Sequence, residues 1–140
     1  MSQLLQEIEA LRQPMKELHD FIFDHPELGN EEFQAHELLT NLLDKEGFAV
    51  DHEVSGLKTA FRAVYHVNGG GPKIGLLCEY DALEGLGHAC GHNLQGPSIC
   101  TAAIALKRTL KAPCTLVVYG TPAEETASGK LVMARRSEEH

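Results

Sequence analysis

Apolar residues at three- and four-residue intervals predict amphipathic helix near the start of the chain. This first stripe comprises Leu4, Leu5, Ile8, Leu11, Met15, Leu18 and Ile22. Pro14 lies inside the stripe, and proline is tolerated in the first turn of a helix but not in its interior. We therefore expect either a kink at Pro14 or one helix that ends near Arg12 and a second helix that begins with Pro14 in its first turn.

A second helical stripe follows the segment His25-Pro26-Glu27-Leu28-Gly29, which interrupts the periodicity. The stripe comprises Ala35, Leu38, Leu39 and Leu42. Asn30 is a residue type that caps helix starts, and Glu31 and Glu32 suit the positive end of the helix dipole. Asn30 is therefore predicted to be the N-cap, and Gly47 is predicted to end this helix.

Beyond residue 47 the pattern changes to that of strands separated by turns. Residues 48–53 and 60–67 predict strands, the second with alternating apolar and polar positions. The continuous apolar runs in residues 73–79 and 114–119 predict strands that are buried on both faces. Residues 98–110 between them predict a helix, so this part of the chain forms a strand–helix–strand crossover. That unit predicts an α/β sheet with helices on both faces.

Composition excludes several classes of protein. The 140 residues are enough for one domain with a core, and 43% of them are hydrophobic. A formal charge of −8 without a basic stripe argues against a nucleic-acid surface. The chain has no run of about 18 apolar residues for a membrane span, and residues 1–12 do not resemble a secretory signal. Four cysteines without a C-x-x-C pair favour a reducing cytoplasm.

Polar clusters follow both strands of the predicted crossover, where ligands bind in open α/β sheets. Glu79, Tyr80 and Asp81 come after the first strand and lead into residues 88–93. Residues 121–125, which include an adjacent pair of glutamates, come after the second strand. We expect the crossover to bring the two clusters close together.

Cys90 and His92 form the strongest candidate for a metal site. In an extended loop, residues at i and i+2 point the same way, so thiolate and imidazole could bind one cation, and Gly91 would let the backbone fold closely around it. This pair of ligands suits zinc, with manganese, cobalt or nickel also open. The alternative is that Cys90 is a small core residue and that His88 and His92 bind loop carbonyls.

The carboxylates near this loop suggest metal-assisted hydrolysis. Because Glu124 and Glu125 are adjacent, their side chains diverge in extended chain, so one could bind a metal while the other takes a proton from water. Asp81 could orient the His92 imidazole from behind, or it could be an ordinary turn residue. The rival chemistry is a nucleophilic cysteine enzyme with Cys90 as nucleophile and a histidine as base.

Four motifs occur in an order that resembles one known family of enzymes. They are His25-Pro26-Glu27-Leu28-Gly29-Asn30-Glu31-Glu32, Glu79-Tyr80-Asp81-Ala82-Leu83, Gly87-His88-Ala89-Cys90-Gly91-His92-Asn93 and Gly120-Thr121-Pro122-Ala123-Glu124-Glu125. The chain resembles the metallopeptidase and amidohydrolase family of aminoacylases, carboxypeptidase G and dipeptidases. The branch it is most similar to holds indole-acetyl-amino-acid hydrolases and p-aminobenzoyl-glutamate hydrolase. The fold implied is a three-layer αβα mixed sheet of the zinc-exopeptidase type.

The resemblance also implies roles for individual residues. Cys90 would bridge two divalent metal ions, zinc or manganese, while His92 and Glu125 would each be a further ligand. Glu124 would be the general base that activates water, with Asp81 as the acid beside the site. The implied reaction is hydrolysis of the amide between an acyl or aminoacyl group and an amino acid. The implied partner is a small amino-acid conjugate or dipeptide, with no nucleic acid or membrane, and full-length relatives are expected to be homo-oligomers.

The chain departs from the family pattern at two positions and in length. Asn93 stands where many relatives have aspartate, and Glu84 stands where proline is common. The resemblance implies that residues 1–140 are the N-terminal part of the catalytic domain, without the inserted lid or dimerisation domain and the C-terminal catalytic part. Relatives supply at least two more histidine ligands from those parts, and His140 is not expected to replace them. The alternative function is therefore a catalytically incomplete remnant that binds at most one ion or only self-associates.

Overall fold

A four-stranded mixed sheet and five helices make up residues 1–136, the part of the chain that the computed structural model describes. In chain order, the elements are α1 (Gln3–Ala10), α2 (Arg12–Asp24), α3 (Phe33–Lys45), β1 (Ala49–His52), β2 (Phe61–Val67), β3 (Lys73–Cys78), α4 (His92–Thr109), β4 (Cys114–Gly120) and α5 (Gly129–Arg136). This confirms the predicted mixed α/β class. Of the helices described, none is long and apolar enough to cross a membrane. His140 lies outside the described residues.

The first hydrophobic stripe forms two helices rather than one kinked helix. The break is at Leu11, whose backbone has φ −93° and ψ 0°, and Pro14 is the third residue of α2. Proline in the first turn loses no helical hydrogen bond, because the first amide groups of a helix have no partner within it. The second of the two predicted alternatives is therefore confirmed.

The start of α3 differs from the prediction, whereas its end agrees. Asn30 is not the N-cap: it lies in a turn with φ +67°, and α3 begins only at Phe33. Its first amide groups are bound instead by the Glu27 carboxylate, which accepts from Gln34 N at 3.0 Å and Ala35 N at 2.9 Å. Gly47 ends the helix as predicted, with φ +88°.

The strands lie in the order β1-β2-β4-β3, with β4 antiparallel to β2 and parallel to β3. Helix α4 is the crossover between the two parallel strands, as predicted. Cys78 and Gly120 are opposite each other at the carboxyl ends of β3 and β4. Thr121 N then donates to Cys78 O at 2.9 Å. The chain segments that follow both strands therefore start side by side.

Helices α2, α3 and α4 contribute to a core on one face of the sheet. The largest fully buried aliphatic side chains of this core are Ile22, Leu39, Leu43, Ile104, Leu116 and Val118. Because side chains alternate along a strand, Tyr119 and Leu77 belong to the other face. There they line a cleft together with Met133 of α5.

Strand β3 is the edge of the sheet, and the predicted burial on both of its faces is wrong. Ile74 is 42% exposed and Leu77 is 48% exposed. Among the described strands β3 pairs only with β4, so its apolar side chains have a neighbouring strand on one side only. The same prediction holds for β4, which lies between two strands and is buried at every position except Tyr119.

Candidate metal centre

Acidic side chains gather where β3 and β4 end. Glu79 and Asp81 follow β3 directly, and Glu124 and Glu125 lie four and five residues after the end of β4. The neighbouring ends of the two parallel strands bring these groups together, as the crossover predicted. The acidic side chains therefore lie at the carboxyl ends of two sheet strands, and α4 supplies His92.

His92 is the first residue of α4, so the expected helix begins six residues earlier than predicted. Gly91 immediately before it has φ +82°, a left-handed conformation that favours glycine. Residues 88–93 are thus not one extended loop, so the premise from which Cys90 and His92 were expected to point the same way is wrong. His92 is buried, whereas Cys90 is exposed.

Both ring nitrogens of His92 face carboxylates. Nδ1 lies 2.9 Å from Asp81 Oδ1, and Nε2 lies 3.1 Å from Glu79 Oε2. Glu125 Oε1 is 3.8 Å from the same Nε2 atom. The second oxygen of Asp81 accepts a hydrogen bond from Glu125 N at 2.9 Å. Asp81 therefore links the imidazole to the backbone of the glutamate pair.

Glu79 is the site residue that sequence reasoning left without a role. One oxygen atom of Glu79, one nitrogen of His92 and one oxygen of Glu124 all lie within 4.8 Å of one another. The available signal was the spacing: Glu79 and Asp81 are two residues apart after β3, so both can face the same side. Sequence alone did not show that this side is occupied by His92.

Lys130 of α5 is the cation that pairs with these carboxylates. Its Nζ lies 2.5 Å from Glu79 Oε1 and 3.2 Å from Glu124 Oε1. Burial lowers the pKa of Lys130, but the hydrogen bonds to Glu79 and Glu124 outweigh it, so the pKa of Lys130 is raised overall. An ammonium group thus neutralises part of the negative charge of the cluster.

Cys90 approaches the cluster from the solvent side. A hydrogen bond with the Glu125 carboxylate is the largest of several effects that raise the pKa of the Cys90 thiol. A nucleophilic cysteine needs a lowered pKa, usually from a neighbouring cation or imidazolium. The surroundings of Cys90 therefore disfavour the rival cysteine mechanism.

The donor set fits a divalent cation. Imidazole nitrogen, carboxylate oxygen and thiolate sulfur are the ligands that zinc accepts, and manganese accepts the first two readily. Asp81 behind His92 is the arrangement that orients a ligating histidine. The structure brings His92, Asp81, Glu124 and Glu125 together, with Cys90 at their edge. The individual roles assigned to these five residues stay predictions.

Comparison with known proteins finds several that are similar to this chain. No family model matches it. It is 41% identical over 148 residues to a p-aminobenzoyl-glutamate hydrolase of Escherichia coli (strain K12), an alignment that covers 91% of this chain and 30% of the relative. It is 42% identical over 123 residues to the Xaa-Arg dipeptidase of Mus musculus, covering 79% of this chain and 28% of the relative.

One solved structure is similar to this chain over most of its length. The fold superposes on a Bacillus subtilis protein described as a dinuclear metal binding peptidase of the M20 family, with a TM-score of 0.80 and 26% identity. That match covers 91% of this chain and 39% of the other. The chain thus spans about 30% of the length of the curated relatives named above.

Proposed function

Because the chain belongs to the M20 family of metallopeptidases and amidohydrolases, we propose that it carries part of a site that hydrolyses the amide between an acyl or aminoacyl group and an amino acid. The observation that carries this proposal is the array of buried Asp81 and His92 with half-buried Glu79, beside the Glu124–Glu125 pair. The names of the two relatives, a hydrolase of p-aminobenzoyl-glutamate and a dipeptidase, both describe cleavage of such an amide.

Two divalent metal ions, zinc or manganese, are the proposed cofactors, with Cys90, His92 and Glu125 as the ligands from this chain. When bound, such ions lower the pKa of water and polarise a carbonyl group. Asp81 would accept the Nδ1 proton of His92, which leaves Nε2 as the ligating atom. The contact of 2.9 Å between Asp81 and His92 supports this assignment.

Glu124 is the proposed general base. Its carboxylate would take a proton from the attacking water and pass it to the amine nitrogen that leaves. Glu124 suits this role because one of its oxygens lies within 4.8 Å of His92 and Glu79 atoms while its side chain is still 33% exposed. A partly exposed carboxylate can exchange protons with solvent after each turnover.

The proposed substrates are small amino-acid conjugates or dipeptides, in the cytoplasm. Residues beyond this chain would complete the site, since it spans only about 30% of the relatives named above. The inserted domain and the C-terminal catalytic part of full-length members are proposed to supply the missing histidine ligands and, through oligomer contacts, the pocket for the substrate.

Glutamine substitutions separate the proposed roles of the two glutamates. Glu124→Gln should bind zinc or manganese like the unmodified chain but, in a full-length protein, lose hydrolysis of acyl-amino acids by about 100-fold or more. Glu125→Gln should lose metal affinity as well. Glu84→Gln, at an exposed loop position, is the matched control. Retained turnover in Glu124→Gln would eliminate it as the base.

A catalytically incomplete remnant is the competing function. A metal count on the purified 140-residue chain, together with the hydrolysis assay, distinguishes the two. At most one weakly held ion and no turnover would favour the remnant, whereas two tightly held ions with turnover would exclude it.

A further inference from the structure

The segment between α2 and α3 contacts both halves of the candidate metal centre. It contains the motif His25–Glu32, to which the proposed mechanism gives no role. Glu27 O accepts a hydrogen bond at 2.8 Å from the backbone N–H of Ala82, the residue after Asp81. Leu28 and Ala82 form a parallel bridge at the same place. This end of the segment therefore holds the chain that follows β3.

The other end of the segment holds the chain that follows β4. Glu32 is fully buried, and its Oε1 accepts the backbone N–H of Ala123 at 2.7 Å. Its Oε2 accepts the hydroxyl of Thr59 at 2.7 Å. Ala123 immediately precedes Glu124 and has φ +55°, which is uncommon for a residue other than glycine. Such a conformation persists only where its surroundings hold it.

Close packing reinforces these hydrogen bonds. A Cβ atom added at Gly29 would lie 2.5 Å from Thr126 Oγ1 and 2.8 Å from Ala123 Cβ. The segment thus touches the chain on both sides of the glutamate pair, and no side chain fits between them. Any displacement of the segment must also move the glutamate pair.

Burying a carboxylate in this space is energetically unfavourable. Removing an ionised carboxylate from water costs several kcal/mol, and burial raises the pKa of Glu32 despite the opposing hydrogen bonds from Thr59 and Ala123. Leucine would fill the same volume without that cost. What leucine lacks is an acceptor for the Thr59 hydroxyl and for Ala123 N, and only the second of these hydrogen bonds reaches the chain that carries the glutamate pair.

We propose that Glu32 is a positioning residue, whose carboxylate holds the Ala123 backbone and so sets where Glu124 and Glu125 lie relative to His92 and Glu79. This inference rests on the proposed function for its consequence, namely metal affinity. The position of Ala123 itself is a property of the chain with or without an ion, and it can be measured separately.

The test compares Glu32→Leu with Glu32→Gln in the full 140-residue chain. Glu31→Leu, an exposed neighbour, is the matched control, and Thr59→Val removes only the hydrogen bond to the other carboxylate oxygen. Three quantities are measured: amide hydrogen exchange of residues 123–125, zinc and manganese affinity by titration calorimetry, and the thermal unfolding midpoint. The midpoint identifies effects that come only from lost stability.

Glu32→Leu is expected to speed amide exchange at Ala123 relative to the sheet amides. It is also expected to weaken metal binding by about 10-fold or more, which is the usual effect of removing a residue that supports a ligand. Glu32→Gln should restore both, because its amide oxygen still accepts from Ala123. Thr59→Val should lower the midpoint but leave exchange and affinity close to those of the unmodified chain. If Glu32→Leu does not fold, Gly29→Ala displaces Ala123 without removing a polar group and should show the same two losses.

Unchanged exchange at Ala123 in Glu32→Leu would overturn the inference. So would equal losses of affinity in Glu32→Leu and Thr59→Val variants with the same midpoint, since Glu32 would then act through stability alone. If the unmodified chain binds no ion, the metal site needs the residues beyond this chain, and the exchange comparison alone decides whether Glu32 positions the glutamate pair.

Discussion

Asp81 and His92 are joined side chain to side chain, with Asp81 Oδ1 lying 2.9 Å from His92 Nδ1 and both residues buried. The remaining Asp81 oxygen accepts Glu125 N. One carboxylate therefore sets the orientation of the imidazole and the position of the glutamate backbone at the same time. Metal affinity, acid stability and self-association of the chain can each be tested by substitution.

Asp81→Asn should weaken divalent metal binding by about 10- to 100-fold, the range found when a group behind a ligating histidine is lost. The two donors, His92 Nδ1 and Glu125 N, face different oxygens of Asp81, and asparagine replaces one of these oxygens with an NH2 group that cannot accept. Titration calorimetry with zinc and manganese measures the effect. Asp51→Asn is the control, because the exposed Asp51 carboxylate pairs with Arg62 on the sheet. Equal affinities in the two variants would contradict the role of Asp81.

Lys130→Met should tighten metal binding by a few-fold, in line with the 0.2–1 kcal/mol or so of an accessible ion pair. The reason is competition, because the Lys130 ammonium now binds oxygens of Glu79 and Glu124 that a cation would approach. Lys16→Met, which removes an ion pair with Asp20 on α2, should leave affinity unchanged. Weaker binding in Lys130→Met would mean that the ammonium organises the cluster instead of competing for it.

His36 should make the chain less stable in mild acid. Burial lowers the pKa of His36, and the nearby His52, 3.3 Å away between ring nitrogens, lowers it further, against a smaller opposing effect of Glu37 and Glu53. In the unfolded chain His36 binds a proton as the pH falls below about 6.5, whereas in the folded chain it does so only at lower pH. The free energy of unfolding therefore decreases as the pH falls from about 6.5 to the lowered pKa of His36 in the folded chain. His36→Gln should lose less stability between pH 8 and pH 5, measured by urea unfolding. An identical pH dependence in both proteins would contradict this.

The open edge of β3 should make the 140-residue chain self-associate. Ile74 is 42% exposed on a strand that has one hydrogen-bonded neighbour among the described strands, and such edges pair with other chains. Ile74→Lys should shift the concentration-dependent mass seen by light scattering towards the monomer. Leu86→Lys is the control: it removes a leucine that is 70% exposed in a loop, and it should not change the mass seen by light scattering. An unmodified chain that stays monomeric at high concentration would contradict the prediction.

Local order along the chain was predictable from sequence because it depends on neighbours a few residues apart. The apolar stripe with Pro14 predicted either a kink or two helices that meet near Arg12, and Gly47 predicted the end of α3. The runs on either side of α4 predicted a crossover, and with it the meeting of the two acidic segments at one sheet edge. The motif around His92 was recognisable because it occurs in order with three other motifs of the family.

Tertiary structure alone decided which groups meet, because those contacts join residues far apart in sequence. Glu27 rather than Asn30 binds the first amides of α3, and Glu79 lies against His92 thirteen positions later. The edge position of β3 depends on the order of the strands, and the exposure of Cys90 depends on where α4 begins. The amino-acid sequence by itself determined the family and the crossover, because both follow from local patterns and motifs. Folding determined that Asp81 and Glu32 each bind a backbone amide more than forty residues away, which no local pattern specifies.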